Sequence, residues 1–386
     1  MKRRQISKLL SHFIGWRPLT LLVGSCGVGK TTLARKYADI YLDLKFPTQR
    51  EWLLDRLTQV LHGKKRLVLD GVETMPELFP ILLDELYDSK LGPYRKVLLI
   101  SSIAPSRLRH FTPEVAKHTS IAPLSPLLLD ELGAKGDIDR LWFYGGYPEG
   151  GIFLKRNYSS WHQGHLKRLA EEELPRLGMP LDSQLIELLF EELAKLHGRS
   201  WNASSIARVL DSDHRKVDAL VDFLADTFLV RRLPAYTSEI NKRLVRKPII
   251  YLRDSGLWHS LLGLNGLNHL HEYELAEISW KGFVIEQLLA FIDTQDVDYK
   301  ASHFGTSSGD RIDLVLEIAG NTWAFQITTA ESIDQKDTAH LKKTADMIDA
   351  NYRVIVARIQ QPVEHENHAI ANLRWLLDEF KDVRLW

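Results

Sequence analysis

Leu19-Thr20-Leu21-Leu22-Val23-Gly24-Ser25-Cys26-Gly27-Val28-Gly29-Lys30-Thr31-Thr32-Leu33 is the stretch whose reading decides the fold. Its first five residues are a continuous apolar run of the kind that fills a strand buried on both faces. The next eight fit G-x-x-x-x-G-K-[ST], and residues 31–41 then read as a helix with Leu33, Tyr37, Ile40 and Tyr41 on one face. Glycines in such a loop let backbone N–H groups curl around a phosphate, and the helix N-terminus adds positive potential. Lys30 is expected to bridge the β- and γ-phosphates of ATP, and the Thr31 hydroxyl to ligate Mg²⁺. The expected nucleotide cradle is Gly24, Ser25, Cys26, Gly27, Val28, Gly29, Lys30, Thr31 and Thr32. Cys26 admits two readings, a reactive thiol beside a helix N-terminus or a passive loop residue, and the second is preferred.

Working outward, 66–70 is an apolar strand ending in Asp70, the expected Mg²⁺ partner of Thr31. Glu73 is the candidate to polarise an attacking water. Ser101, with Ser102, follows a strand at 96–101 and either senses the γ-phosphate or simply caps the strand. Further β-like and helical runs at 51–61 and 119–122 complete a parallel α/β pattern. Gly145-Gly146-Tyr147-Pro148 punctuates its end. The mostly helical stretch that follows has tandem helices at 202–210 and 214–224, then strands at 228–230 and 249–252, the order of a winged helix. A smaller α/β unit follows, with a helix at 281–291, strands at 297–301, 311–318, 322–328 and 353–358, and a crossing helix at 339–348.

Composition bounds the rest. The 386 residues are 45% hydrophobic and 26% charged, which excludes a disordered or collagen-like chain and calls for two or three domains. Lys plus Arg and Asp plus Glu each number 50, so a chain-wide polycation is excluded although a local basic patch is not. A single cysteine excludes a disulfide framework and a Cys-based zinc site. No apolar run approaches the ~18 residues of a spanning helix, so no membrane partner and a cytoplasmic location are expected. After the basic Met1-Lys2-Arg3-Arg4, Ile6, Leu9, Leu10, Phe13 and Ile14 recur at helical spacing, unlike a signal peptide. His162 with His165, His269 with His271, and His365 with His368 lack a matching acid or Cys set and read as surface or capping residues. No Asn-Lys-x-Asp guanine signature follows the loop.

The loop, Pro123-Leu124-Ser125, Gly145-Gly146-Tyr147-Pro148-Glu149, Asp226-Thr227-Phe228-Leu229-Val230, Arg243 with Lys247-Pro248, Asp254-Ser255-Gly256-Leu257, and Gly282 with Glu286 occur in one order along the chain. In this the chain resembles bacterial and archaeal AAA-type P-loop ATPases that carry a winged-helix segment and a C-terminal domain of unknown function related to PD-(D/E)xK nucleases. The resemblance implies an AAA-type P-loop NTPase domain at 1–155, a winged-helix region at 156–268 and a small restriction-endonuclease-like α/β domain at 269–386. It also implies an oligomer, because AAA-type sites are often completed by a neighbour. In the family a glutamate usually follows the strand-end aspartate, where Gly71 stands here. Lys117-His118 replaces an arginine usually found before the Pro-Leu-Ser segment. In the nuclease-like part Glu286 and Asp313 match the first two acids, but Gln326 and Thr328 stand where Glu and Lys belong. An amide is a poor Mg²⁺ ligand and a threonine supplies no cation, so metal-dependent cleavage is expected to be lost.

The expected function is therefore ATP binding with slow hydrolysis, the nucleotide state controlling the two later domains. The alternatives are a nucleotide-gated switch that binds a partner protein or DNA without useful turnover and, behind it, a nuclease. DNA contact would fall to Arg231, Arg232, His214-Arg215-Lys216 and the basic run Asn241-Lys242-Arg243-Leu244-Val245-Arg246-Lys247, against the flanking Asp211, Asp213 and Asp218.

Overall fold

The structure, a computed structural model, describes residues 4–87, 96–133, 136–153, 158–237, 244–272, 275–366 and 368–381. Met1, Lys2 and Arg3, Asn241 with the basic residues Lys242 and Arg243, and the His271 side chain lie outside the described residues. No helix of the described residues is long and apolar enough to cross a membrane.

Five strands, β1 (Leu19–Val23), β2 (Ile40–Asp43), β3 (Leu67–Asp70), β4 (Val97–Ser101) and β5 (Thr119–Pro123), form an all-parallel sheet in the order β2-β3-β4-β1-β5. Every residue of β1, β3 and β4 is buried. That explains their unbroken apolar runs, since helices cover both faces of a parallel sheet. The register sets Val23 opposite Ser101 and Asp70 opposite Ile100, so β1, β3 and β4 all end at one edge. That carboxyl edge is where open α/β sheets bind ligands. This is the P-loop NTPase fold.

Residues 31–41 depart from the single helix expected. The helix runs only over Lys30–Ala34, a 3-10 turn covers Arg35–Tyr37, and Ile40-Tyr41-Leu42 belong to β2. The branched and aromatic side chains suit a half-exposed edge strand. The Asp39 carboxylate, which accepts from Arg66 N at 2.8 Å and Arg66 Nε at 3.1 Å, pins the register against β3.

Beyond the sheet, helices Ser183–Lys195, Ala203–Val209 and His214–Asp226 precede a three-stranded antiparallel sheet of β6 (Arg199–Ser200), β7 (Val230–Leu233) and β8 (Ile249–Leu252) in the order β6-β8-β7. Side-chain caps from Asp182 and Asp213 start the first and third of these helices. Helix Ala276–Ile292 then leads into a mixed six-stranded sheet. Its strands are β9 (Tyr299–Gly305), β10 (Arg311–Ile318), β11 (Asn321–Ile327), β12 (Tyr352–Val356), β13 (Val363–His365) and β14 (His368–Ala371), in the order β13-β14-β12-β11-β10-β9. The helix is buried almost all round, as a helix wedged between neighbours must be.

Two cores join these parts. One runs from Leu21, Leu69 and Leu99 of the parallel sheet to Leu189, Phe190, Val221 and Trp258. The other packs Leu127, Leu141, Trp142 and Phe143 against Val284, Leu288, Leu314, Phe325 and Val356. The segment after β5 thus shares its core with the C-terminal sheet.

Candidate phosphate site

The loop after β1 is held by close backbone approaches. A Cβ on Gly24 would lie 2.2 Å from the carbonyl oxygen of Leu124, so no other residue fits there. Arg4, buried, donates from Nη1 to Val28 O at 2.9 Å and from Nε to Glu131 at 3.0 Å, and its Nη2 reaches Ser125 O at 2.5 Å. It braces the loop from just before the N-terminal helix Ile6–Trp16, a role nothing in its local sequence signals.

Lys30 Nζ donates to Gly24 O at 2.7 Å and Ser25 O at 2.9 Å. The ammonium is therefore folded onto its own loop, where burial pulls its pKa below the ordinary lysine value against Cys26, Glu73 and Asp70. Thr31 Oγ1 donates to Asp70 Oδ2 at 2.5 Å, and Tyr41 O–H donates to the same oxygen at 2.7 Å. Thr31 and Asp70 are thus brought together, as a shared Mg²⁺ requires. Tyr41 is a further partner, hidden in the sequence because its stretch reads as helix.

Glu73 reaches the same place by an unusual route. Gly71, at φ 78°, turns the chain left-handed directly after Asp70, and the 3-10 turn Val72–Thr74 follows. Both carboxylate oxygens of Glu73 are buried and without a hydrogen-bond partner, facing Lys30 and Asp70. Burial raises its carboxyl above the ordinary range, while its own backbone amide, Lys30 and Ser101 pull the other way. An orphaned buried acid is costly unless a ligand uses it. Ser101 lies beside it, yet its Oγ donates to Ile103 O at 3.0 Å and accepts from Ile103 N at 3.1 Å, the strand-capping role. Thr32 is exposed on the outer face of the helix. Cys26 Sγ donates to Glu173 at 3.4 Å, and burial pushes its thiol up, which disfavours the thiolate a reactive cysteine needs.

Over the loop lies an aromatic roof from the Gly-Gly-Tyr-Pro segment and the helix Tyr158–Arg168. Tyr147 O–H is 3.3 Å from Ser25 Oγ, His165 stacks on Trp161 at 4.9 Å, and its Cε1 would stand 3.1 Å from a Cβ on Gly27. His162 and His165 are therefore buried, contrary to their reading as surface or capping residues. Burial, aided by Arg168, pulls His165 down to about 3; burial does the same to His197, to about 3, and to His259, to about 4. Unfolded, all three take protons near pH 6.5; folded, they stay neutral. Their stabilising contribution is intact above pH 6.5 and is lost as pH falls below it, by about 2 kcal/mol per group at pH 5. Urea midpoints should therefore drop steeply between pH 7 and pH 5, and equal midpoints would contradict this assignment.

The nuclease-like residues do not gather at one site. Glu286 engages Arg231 and Arg253 rather than Asp313. Asp313 is 3.2 Å from Lys281 Nζ, which is also 3.2 Å from Glu277, and accepts from Gln326 Nε2 at 3.2 Å and Ile327 N at 2.7 Å. Thr328 Oγ1 accepts from Ala330 N at 3.2 Å and takes no part. An ammonium thus stands where two carboxylates would hold a cation, and among the described residues no group of three His, Cys, Asp or Glu could hold a metal. Plasmid incubated with the protein in Mg²⁺ or Mn²⁺ should stay uncut; cutting that disappears in Asp313→Ala would overturn this.

Two of the basic residues considered for DNA contact are internally neutralised. Arg231 pairs with Glu286, and Arg232 pairs with Asp222 and, at 3.3 Å, with Asp218. Arg246 and Lys247 remain exposed. Lys117, in the family's arginine position, is exposed and pairs with Glu114 at 2.9 Å.

Residues 135–268 match a family described as "Domain of unknown function (DUF8612)", and residues 277–376 match "Domain of unknown function (DUF4143)". Uncharacterized proteins of Mycobacterium tuberculosis and Mycobacterium bovis are each 29% identical to the chain over 344 residues, covering 87% of this chain and 76% of the relative. Among solved structures, the Walker-type ATPase PABY2304 of Pyrococcus abyssi is similar with a TM-score of 0.45 and 15% identity, over 67% of this chain and 95% of that one. AMPPCP-bound DnaA from Aquifex aeolicus is similar with a TM-score of 0.29 and 16% identity, over 57% of this chain and 85% of that one.

Proposed function

We propose that the chain binds MgATP at the loop Gly24–Thr31 and hydrolyses it slowly, and that the nucleotide state is relayed to the helical and C-terminal parts. The observation that carries this reading is the convergence of Lys30, the Thr31–Asp70 pair and the orphaned Glu73 at the carboxyl edge of one parallel sheet. The Lys30 ammonium exchanges two loop carbonyls for phosphate oxygens. Mg²⁺ held by Thr31 with Asp70 would neutralise phosphate charge. Glu73 takes the proton of an attacking water at a carboxylate oxygen. One core joins the sheet to the helical segment and the other joins the segment after β5 to the C-terminal sheet, which together supply the mechanical connection.

The test is titration calorimetry with MgATP on folded protein, read beside phosphate release. A saturating one-site isotherm with slow release is expected, and a flat trace overturns the reading. A second reading, a nucleotide-gated switch for a partner protein or DNA, is favoured by Gly71 after Asp70 and by Lys117 in place of an arginine. Stoichiometric ATP binding with no phosphate release, whether or not DNA is added, would select it.

A further inference from the structure

A cavity of about 280 Å³ opens in the C-terminal sheet, near the first residues of β11, β12 and β14 and the last of β13. Helix Leu373–Glu379 closes one side of it. The nucleotide reading uses none of these residues. Pockets that enclose whole small molecules run to about 300–1,000 Å³, so this one suits a compact ligand.

Its walls are aromatic. Trp323 and Tyr352 stack with ring centroids 4.0 Å apart, and Phe380 leans on Trp323 at 5.3 Å. Trp323 and Phe380 are buried in the C-terminal core, which fixes these rings as a floor. Tyr352 and Trp375 are half-buried. Among the described residues Tyr352 meets no ring but Trp323, and Trp375 meets none. Both line the cavity and keep π surface for a ligand.

The charge around these rings is negative. Glu364, Glu366 and Glu379 line the cavity, and the carboxylates of Glu364 and Glu366 form no hydrogen bond or ion pair among the described residues. Those two side chains are exposed and stand at the rim. Arg353 also lines the cavity, but its Nη2 donates to Asp346 at 2.6 Å, an ion pair that offsets its charge. Burial, joined by His365, Lys342 and Arg353, lowers the pKa of His368, so that ring is neutral at neutral pH.

Ring faces and rim carboxylates attract the same kind of ligand, a cation. A primary ammonium needs acceptors for its N–H groups, which a wall of rings does not supply. An alkylated ammonium spreads its charge over C–H groups, and these pack directly on aromatic faces. We propose that this cavity binds a small alkylated ammonium ion, held by the rings of Trp375 and Tyr352 over the floor of Trp323 and Phe380, with Glu364 and Glu366 as its counter-charge. The site lies in the C-terminal sheet and stands or falls independently of nucleotide binding at Gly24–Thr31.

The experiment titrates choline and benzyltrimethylammonium into the full chain by calorimetry, beside the carbon isostere of choline in which tert-butyl replaces trimethylammonium. At least one of the two cations should give a one-site isotherm with a Kd of about 0.01–1 mM, and the isostere should bind at least about tenfold more weakly than choline. Trp375→Leu, which keeps apolar bulk but removes the π face, should weaken the cation about 3–30-fold, whereas Trp375→Phe should stay within about threefold of wild type. Glu364→Gln combined with Glu366→Gln should weaken it about 2–10-fold and flatten its salt dependence. Thermal melts check that each variant folds. The inference fails if neither cation binds, if the isostere binds as well as choline, or if folded Trp375→Leu or the double glutamine variant binds like wild type. Should Trp375→Leu not fold, the isostere and the double glutamine variant decide the question.

Discussion

Replacing Glu73 by glutamine is expected to slow phosphate release about 10²–10⁴-fold while leaving ATP affinity nearly unchanged. The expectation follows from the position of the carboxylate: buried, without a hydrogen-bond partner, and beside Lys30 and Asp70. A general base must be ionised when the water arrives yet basic enough to take its proton, and burial makes the carboxylate more basic. The same burial carries a stability signature. The folded carboxyl keeps its proton at pH values where the unfolded one, near 4.5, has lost it. Stability therefore declines as pH rises through the interval from 4.5 to the raised folded value, and Glu73→Gln removes that decline. The difference between variant and wild type in denaturation at pH 5 and pH 8 isolates this slope from the opposing one of the buried histidines, and single-turnover phosphate release checks the chemistry. Unchanged release in the variant would assign turnover to another residue.

Lys30→Ala is expected to weaken MgATP about 10²–10³-fold, the equivalent of roughly 3–4 kcal/mol from two charge-assisted contacts to phosphate. The ammonium already stands 2.7 Å and 2.9 Å from two loop carbonyls, so it needs only a short swing to meet a phosphate. The alanine variant removes a cation that burial disfavours, so its loss of affinity should not come with a loss of fold. Fluorescent-nucleotide binding and a thermal melt on the same sample separate the two. Equal affinity in variant and wild type would move the nucleotide site elsewhere on the chain.

Elements legible in the sequence are those whose cause is local. The loop Gly24–Thr31 needs a strand before it, a helix after it and glycines between, and all three lie within fifteen residues. Strand β10 runs over Arg311–Ile318, the limits expected for it, because Ile312, Leu314, Leu316 and Ile318 alternate at the period of a strand. Strand β2 was hidden because Leu33, Tyr37, Ile40 and Tyr41 fit a helical face, and only the edge of β3 decides otherwise. Glu286 was legible as an important acid but was given the wrong companions. The resemblance set it beside Asp313 in a degenerate nuclease-like site, whereas Arg253 and Arg231, 33 and 55 residues away, pair with it.

The sequence by itself determined the strand, glycine-rich loop and helix over Leu19–Leu33, and that Gln326 and Thr328 stand where a nuclease-like signature carries Glu and Lys. Only the tertiary structure decided that Glu73 swings back under Lys30, that Arg4 and the Tyr147–His165 roof enclose the loop, and that Asp313 is neutralised by Lys281. The physical reason is the reach of each interaction. A backbone curl is written in adjacent φ and ψ angles, while the ionic partner of a buried charge is chosen by whichever counter-charge packing brings within hydrogen-bond distance, however far along the chain it lies.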